Sequence, residues 1–229
     1  MTESPPVLVT RAEPGNAATV ARLKAAGLDA QAMPLFAAVP IDWSAPDPAD
    51  FDVLLLTSAQ AVRLAGPGLA GLASLPVHAV GETTAAAARG AGLNVAVTGT
   101  RGAQALIDAM TSPENKRILW LCGRDRSDLD ARGARLMALS CYAVDPVDPP
   151  SGWDDLIAQP VILLAHSARG AERIAALTEG RRAGLSLVAI SPVAAAIAGH
   201  GWAAVTVTDR PDDAAMVTAA VDLCKKVQK

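Results

Sequence analysis

The sequence is poor in the features that announce most functions. Aromatic residues make up only 3% of its 229 positions, with a single tyrosine, Tyr142. Neither sign of charge dominates: 20 Lys and Arg face 23 Asp and Glu, for a formal net charge of -3. A nucleic-acid binder carries a basic excess gathered in a stripe, so no nucleic-acid partner is expected. No apolar run approaches the ~18 residues a membrane helix needs, and no membrane partner is expected either. Cys122, Cys141 and Cys224 are odd in number, widely spaced and outside any C-x-x-C pattern. That usage fits a reduced cytoplasmic protein better than a disulfide framework or a zinc site. The opening MTESPP lacks the basic-then-apolar order of a secretory signal. A cytoplasmic protein is expected.

Signature motifs are missing too. No Walker sequence is present, and no G-x-S-x-G elbow surrounds Ser58 or Ser167, which argues against a serine nucleophile. His78, His166 and His200 show neither metal spacing nor a nearby carboxylate pair, and His78 sits inside an apolar run as a core residue would. Gly66-Pro-Gly-Leu-Ala-Gly71 matches G-x-G-x-x-G but follows a helical stretch and precedes a strand, the reverse of a dinucleotide site. Arg181-Arg182 reads as a surface turn.

What the chain does contain is apolar bulk and repetition. Hydrophobic residues make up 51% of it, which excludes disorder. Alanine accounts for roughly a fifth, well above ordinary usage. The length fits one large domain or two small ones. The stretch FDVLLLTSAQAVRLA with LPVHAVGETTAAAARGAGLNVAVTGTRGAQALIDAM is echoed by QPVILLAHSARGAERIAAL with LSLVAISPVAAAIAGHGWAAVTVTDRPDDAAMVTAAV. Ser58 matches Ser167, Gly81 matches Ser191 and Gly92 matches Gly201, at an offset of about 110 residues. The likeness extends backwards. Val7-Leu-Val-Thr-Arg11 leads to a helix ending at Gly27 and an extended stretch reaching Phe36. Ile118-Leu-Trp-Leu121 leads to a charged helix ending near Gly133 and an extended stretch reaching Tyr142. Short apolar runs alternating with helices, without hairpin signals, predict parallel strands buried on both faces.

Domain boundaries do not follow the repeat. Only a short polar turn, 111–117, joins the two copies, whereas prolines gather at Pro34 to Pro48 and at Pro146 to Gly152. Proline avoids central strands and favours extended chain. The expected architecture is α/β, with two similar three-layer, flavodoxin-like parallel-sheet domains. A discontinuous outer domain spans 1–36 and 147–229, and an inserted domain spans 40–143. Two extended linkers, about 37–40 and 143–147, join them.

In parallel sheets, ligands bind beyond the carboxyl ends of the strands, beside the starts of the following helices. At those points lie Thr10-Arg11, Thr57-Ser58, Gly81 through Thr84, Gly99 through Gly102, Gly123-Arg124, His166-Ser167 and Ser191. Free backbone N–H groups and a positive dipole end favour an anion there. Any one Ser or Thr is better explained as a helix cap, but the set as a whole predicts a cleft lined with anion-ready helix starts. Tyr142 closes the strand entering the second linker; it is either an amphipathic anchor between domains or a phenolic proton donor or ring-stacking group. The residues alone leave open a two-lobed small-anion binding protein and a nucleotide-sugar-dependent transferase, the latter with Gly99-Thr-Arg-Gly102 as its only phosphate-cradling candidate.

The order of these elements resembles uroporphyrinogen-III synthase over essentially the whole chain. The likeness is carried by VLVTRAEP with LKAAGLDAQAMPLF, FDVLLLTSAQAV, VHAVGETTAAAARGAGL, the Cys141-Tyr142 pair, VILLAHSARGA and LVAISPVAAAIAGHG. The resemblance implies a cofactor-independent and metal-free lyase of porphyrin and heme biosynthesis. Such an enzyme closes hydroxymethylbilane, a linear tetrapyrrole with eight carboxylates, into uroporphyrinogen III with loss of water and inversion of ring D. Matched residue by residue, Arg11, Ser58, Gly81, Thr84, Tyr142, Ser167 and Ser191 fall on positions the family places around the cleft. Tyr142 is the expected catalytic group; Arg11, Ser58, Gln60, Gly81, Thr83, Thr84, Gly102, Arg124, Ser167 and Ser191 are expected to bind substrate, and a monomer is expected. Gln60 stands where some members carry a basic residue, and Val193-Ala194 replace a hydroxyl-bearing pair.

Overall fold

Runs of Val, Leu and Ile form the inner strands of two parallel sheets. A computed structural model of the chain describes residues 4–110, 112 and 116–227. The expected absence of a leader and the polar turn at 111–117 fall partly outside them. In chain order the strands are β1 (Val7–Val9), β2 (Ala30–Ala32), β3 (Phe36–Pro40), β4 (Val53–Leu56), β5 (Val77–Val80), β6 (Val95–Gly99), β7 (Arg117–Gly123), β8 (Arg135–Pro146), β9 (Ile162–Ala165), β10 (Ser186–Ala189) and β11 (Ala204–Val207). The helices are α1 (Gly15–Ala25), α2 (Ala59–Leu64), α3 (Glu82–Gly90), α4 (Ala103–Asp108), α5 (Trp153–Ile157), α6 (Ala168–Leu177), α7 (Pro192–Ala198) and α8 (Asp213–Val227). The chain divides into two compact units. Unit 1 is Met1–Ala37 with Asp145–Lys229, and unit 2 is Ala38–Val144. The divisions fall inside β3 and β8, which neighbour each other.

In unit 1 the sheet runs β11-β10-β9-β1-β2 with every adjacent pair parallel. Numbered along its own unit, this is the 2-1-3-4-5 order of flavodoxin-like sheets. One face packs on α5, α6 and α7 through Leu163, Leu187, Ile174 and Trp153. The other packs on α1 and α8 through Val7, Val9, Leu23, Met216 and Leu223. In unit 2 the order is β3-β8-β7-β4-β5-β6. Leu54, Leu56, Leu119 and Leu121 face the α2–α3 side, while Leu55, Ile118 and Trp120 face α4. Both units are three-layered. Burial on both faces, worth roughly 1.5–3 kcal/mol for each such side chain, explains why the strands read as unbroken apolar runs rather than alternating ones.

The two sheets are related by the sequence repeat in a crossed manner. Read by their repeat partners, β8-β7-β4-β5-β6 reproduces β2-β1-β9-β10-β11 position for position. Each unit therefore takes its first two strand positions from one copy of the repeat and the other three from the other copy. That exchange is why the compact units ignore the repeat junction.

Local departures have local causes. The charged helix expected before Gly133 does not form; residues 124–134 run as bends and turns. There the Arg132 N–H donates to Asp130 Oδ1 at 2.9 Å, and the Asp130 N–H donates to Gln104 Oε1 at 2.9 Å. Such side-chain bonds compete with the helical ladder, and only Leu129 and Ala134 of this stretch pack on the core. Arg124 to Asp128, at the head of that stretch, are exposed and open no helix. Conversely, the proline-rich stretch ends in the short helix α5, which buries Trp153 and Ile157 one turn apart and opens with Asp154 and Asp155 at its positive end. Arg182 is not a simple surface residue: its Nη2 donates to the Ala175 carbonyl at 2.7 Å, and its guanidinium lies 5.4 Å from the Trp202 ring centroid. Among the described residues, no helix is long and apolar enough to cross a membrane.

Candidate active site

Every predicted binding residue lies at or just beyond the carboxyl edge of its own sheet, because a parallel sheet sends all its following turns to one side. In unit 2, neighbouring strand ends along β6-β5-β4-β7-β8 bring Gly102, Gly81, Ser58, Arg124 and Tyr142 into one row. The Gly81 N–H donates to the Gly99 carbonyl at 2.7 Å, tying the first two turns together. Gly81 and Gly102 sit at φ 78° and 91° and open α3 and α4, a backbone region that a side chain at these positions would strain. Thr83 is exposed, whereas Thr84 is buried at 4% exposure and faces inward. Gln60 is half-buried on the first turn of α2.

Tyr142 is registered opposite Gly123 on the adjacent strand, and the Arg124 N–H donates to its carbonyl at 2.8 Å. The ring lies over that glycine. A Cβ at Gly123 would stand 2.9 Å from Tyr142 Cζ, so the close approach requires glycine. The ring edge packs partly on the α2–α3 core. Among the described residues its hydroxyl has no hydrogen-bond partner.

The serine hydroxyls do serve as caps. Ser58 Oγ accepts from the Gln60 N–H at 3.1 Å, Ser167 Oγ from the Gly170 N–H at 3.0 Å and Ser191 Oγ from the Ala194 N–H at 3.2 Å. Each keeps its own O–H for donation. In unit 1, Arg11, Ser167 and Ser191 follow the adjacent strands β1, β9 and β10. The helices after β1 and β9 lie on opposite faces, which makes β1/β9 the switch point of this sheet; in unit 2 the irregular connection after β7 packs on the α4 face and α2 after β4 on the other, so β7/β4 is the matching point.

Sequence reading missed the polar hub of unit 1. Asp213, the first residue of α8, has its Oδ1 2.6 Å from Thr19 Oγ1, 3.1 Å from His166 Nε2 and 3.3 Å from Arg11 Nη1. Its Oδ2 accepts from Arg22. Burial pushes the Asp213 carboxyl up, but the bonds from Thr19 and Arg22 and the nearby His166 outweigh that and leave it below the ordinary carboxylate range. His166 is only 6% exposed at its side chain; burial, with Arg11 beside it, lowers its pKa below the usual imidazole value. Asp213 stands in no sequence motif, and the long separations to its partners hide the hub. Among the described residues, no group of three His, Cys, Asp or Glu side chains is arranged to hold a metal ion.

The strand orders of the two sheets, with a helix start or turn beyond each carboxyl edge, define a doubly wound α/β protein. The family profile described as uroporphyrinogen-III synthase HemD matches residues 17–218, and the chain belongs to that family. A uroporphyrinogen-III synthetase from Helicobacter pylori is similar in fold, with a TM-score of 0.66 at 18% identity over 97% of this chain and 100% of its own. A mutant uroporphyrinogen III synthase from the extremely thermophilic bacterium Thermus thermophilus is 18% identical over 98% of this chain and 100% of its own, with a TM-score of 0.48. No curated protein matches the chain.

Proposed function

We propose that this chain closes hydroxymethylbilane into uroporphyrinogen III, as a lyase that needs no cofactor. The observation that carries the reading is the family match across residues 17–218. The strand-edge chemistry supports it. An octacarboxylate needs many anion contacts, and helix starts supply backbone N–H donors without a large basic excess. Arg11 and Arg124 add charge, and Ser58, Ser167, Ser191 and Thr83 add hydroxyls; Gly81 and Gly102 let backbone approach closely. Thr84 contributes its N-terminal turn rather than an exposed hydroxyl, and Gln60 a neutral amide.

The bilane loses its hydroxyl readily to give an electrophilic azafulvene. Left alone, it closes without inversion. The task is then geometric: to hold the chain so that the substituted carbon of ring D attacks, giving a spiro intermediate that reopens and closes inverted. Orientation of this kind supplies up to ~7–11 kcal/mol. Tyr142, its hydroxyl unpartnered and its ring fixed over Gly123, donates a hydrogen bond to the departing hydroxyl, worth about 10²–10⁴-fold as a general acid. The reading carries with it a monomeric enzyme in a reducing cytoplasm, in accord with the free, buried thiols of Cys122, Cys141 and Cys224.

The test is to add the purified chain to fresh hydroxymethylbilane and separate the porphyrins after oxidation. Accelerated consumption with the type III isomer as product supports the proposal; type I alone, at the uncatalysed rate, refutes it. A thermal shift with nucleotide sugars but none with the bilane product would favour the transferase. That outcome is not expected, since the family match spans residues 17–218.

A further inference from the structure

The Asp213 hub lies at the switch point of unit 1 but is not itself part of the predicted binding set. Its partners come from three separate elements: Arg11 from the turn after β1, Thr19 and Arg22 from α1, and His166 from the turn after β9. These are the elements that flank the crevice of a 2-1-3-4-5 sheet. Arg11 is 38% exposed, so its guanidinium reaches the surface while one of its nitrogens is tethered from behind. Gly15 makes this path possible, since a Cβ there would lie 2.5 Å from Arg11 Nε.

Charge and tautomer follow. With Asp213 ionised and facing it at 3.1 Å, His166 Nε2 must carry the proton. Its Nδ1 is then an unprotonated acceptor, buried and without a hydrogen-bond partner among the described residues. A neutral imidazole leaves two guanidinium charges against one carboxylate. The hub keeps a net positive charge and still attracts an anion.

We propose that Asp213 is a positioning residue for the reaction. It holds the Arg11 guanidinium in the orientation that meets a substrate carboxylate and fixes the His166 ring through Nε2. The inference rests on the reading of the chain as closing an acidic bilane. Arginine has many rotamers, and a tether set before binding removes the need to select one during it. The carboxylate is itself fixed by the positive end of α8 and by Thr19, so the orientation is built from rigid elements.

Two measurements test this on the full chain. The first is side-chain ¹⁵N NMR, with the Arg11 Nε–H resonance assigned by Arg11→Lys. A sharp, exchange-protected Arg11 signal is expected in the wild type, an averaged one in Asp213→Asn, and an intermediate one in Thr19→Val, which keeps the charge and removes one bond. An Arg11 signal unaffected by either substitution overturns the proposal. The second is a double-mutant cycle on hydroxymethylbilane closure. Arg11→Gln and Asp213→Asn should each raise KM by about tenfold or more, the loss of one charge-assisted hydrogen bond. The double variant should be no worse than Arg11→Gln alone. Losses that multiply, or a KM that falls because a repelling carboxylate has gone, overturn it. If Asp213→Asn fails to fold, Thr19→Val and its cycle with Arg11→Gln decide the question. A wild type that makes no type III isomer refutes the proposed function, while the NMR arm still decides whether Asp213 sets Arg11.

Discussion

The two units share one strand order but carry opposite chemistry at matching corners. At the offset that pairs Ser58 with Ser167, Thr57 of unit 2 stands where unit 1 has His166. At the spacing that pairs Gly27 with Gly133, Phe36 of unit 1 stands where unit 2 has Tyr142. Unit 1 thus holds a titratable imidazole and an inert phenyl ring, the latter under the Arg169 guanidinium at 5.5 Å from its centroid. Unit 2 holds an uncharged hydroxyl, bonded to Trp120 Nε1 at 3.1 Å, and a phenol. Phe36 shows that this corner can be packed without a hydroxyl. In the proposed function the oxygen of Tyr142 therefore adds chemistry rather than packing, with binding charge assigned to unit 1 and the acid donor to unit 2.

The sharpest way to break that comparison is Tyr142→Phe, which makes unit 2 like unit 1. Turnover is expected to fall by about 10²–10⁴-fold while the thermal midpoint stays put. Full turnover would reduce Tyr142 to a packing anchor. Gly123→Ala comes next. The new methyl lies against the Tyr142 ring, and overpacking of this kind costs ~1–3 kcal/mol. Both midpoint and turnover should drop, and a Gly123→Ala variant combined with Tyr142→Ala should recover part of the stability.

Smaller effects compare the caps. Ser58→Ala in unit 2 and Ser167→Ala in unit 1 should each cost ~1 kcal/mol in denaturant unfolding and lower activity without abolishing it, because the backbone donors remain. Loss of all activity from either one, in a folded variant, would contradict an anion site built mainly from backbone. The smallest effect belongs to unit 1 alone. The folded pKa of His166 is below the ordinary 6.5, so the unfolded chain takes up the proton first. Its contribution is complete above about pH 6.5 and is lost as the pH falls below it. Melting curves between pH 7 and pH 5 should therefore decline less steeply in His166→Gln, which keeps a donor toward Asp213 that does not titrate. Identical slopes would place the acid sensitivity elsewhere.

Much of this was legible in the sequence, for physical reasons. Strands buried on both faces leave continuous apolar runs such as VLLL and ILLA, and helix starts leave Ser or Gly at fixed distances after them, so the sheets and their carboxyl edges could be read directly. What depended on distant partners could not. Asp213 gains its meaning from α1 and from the turns after β1 and β9, far away in the chain. The stretch 124–134 carries enough charge to look helical, yet Asp130 spends its hydrogen bonds on neighbouring backbone instead. Thr84 looks like Thr83 in sequence, and only the start of α3 turns one inward and the other out.

The central claim is that the fold itself, by holding the bilane, decides which isomer forms. The most direct measurement is the partition between type III and type I product as the chain is titrated from trace amounts to excess over hydroxymethylbilane. The account predicts that type III rises with enzyme until type I disappears. A type I fraction that persists when every bilane molecule has a protein partner would contradict it.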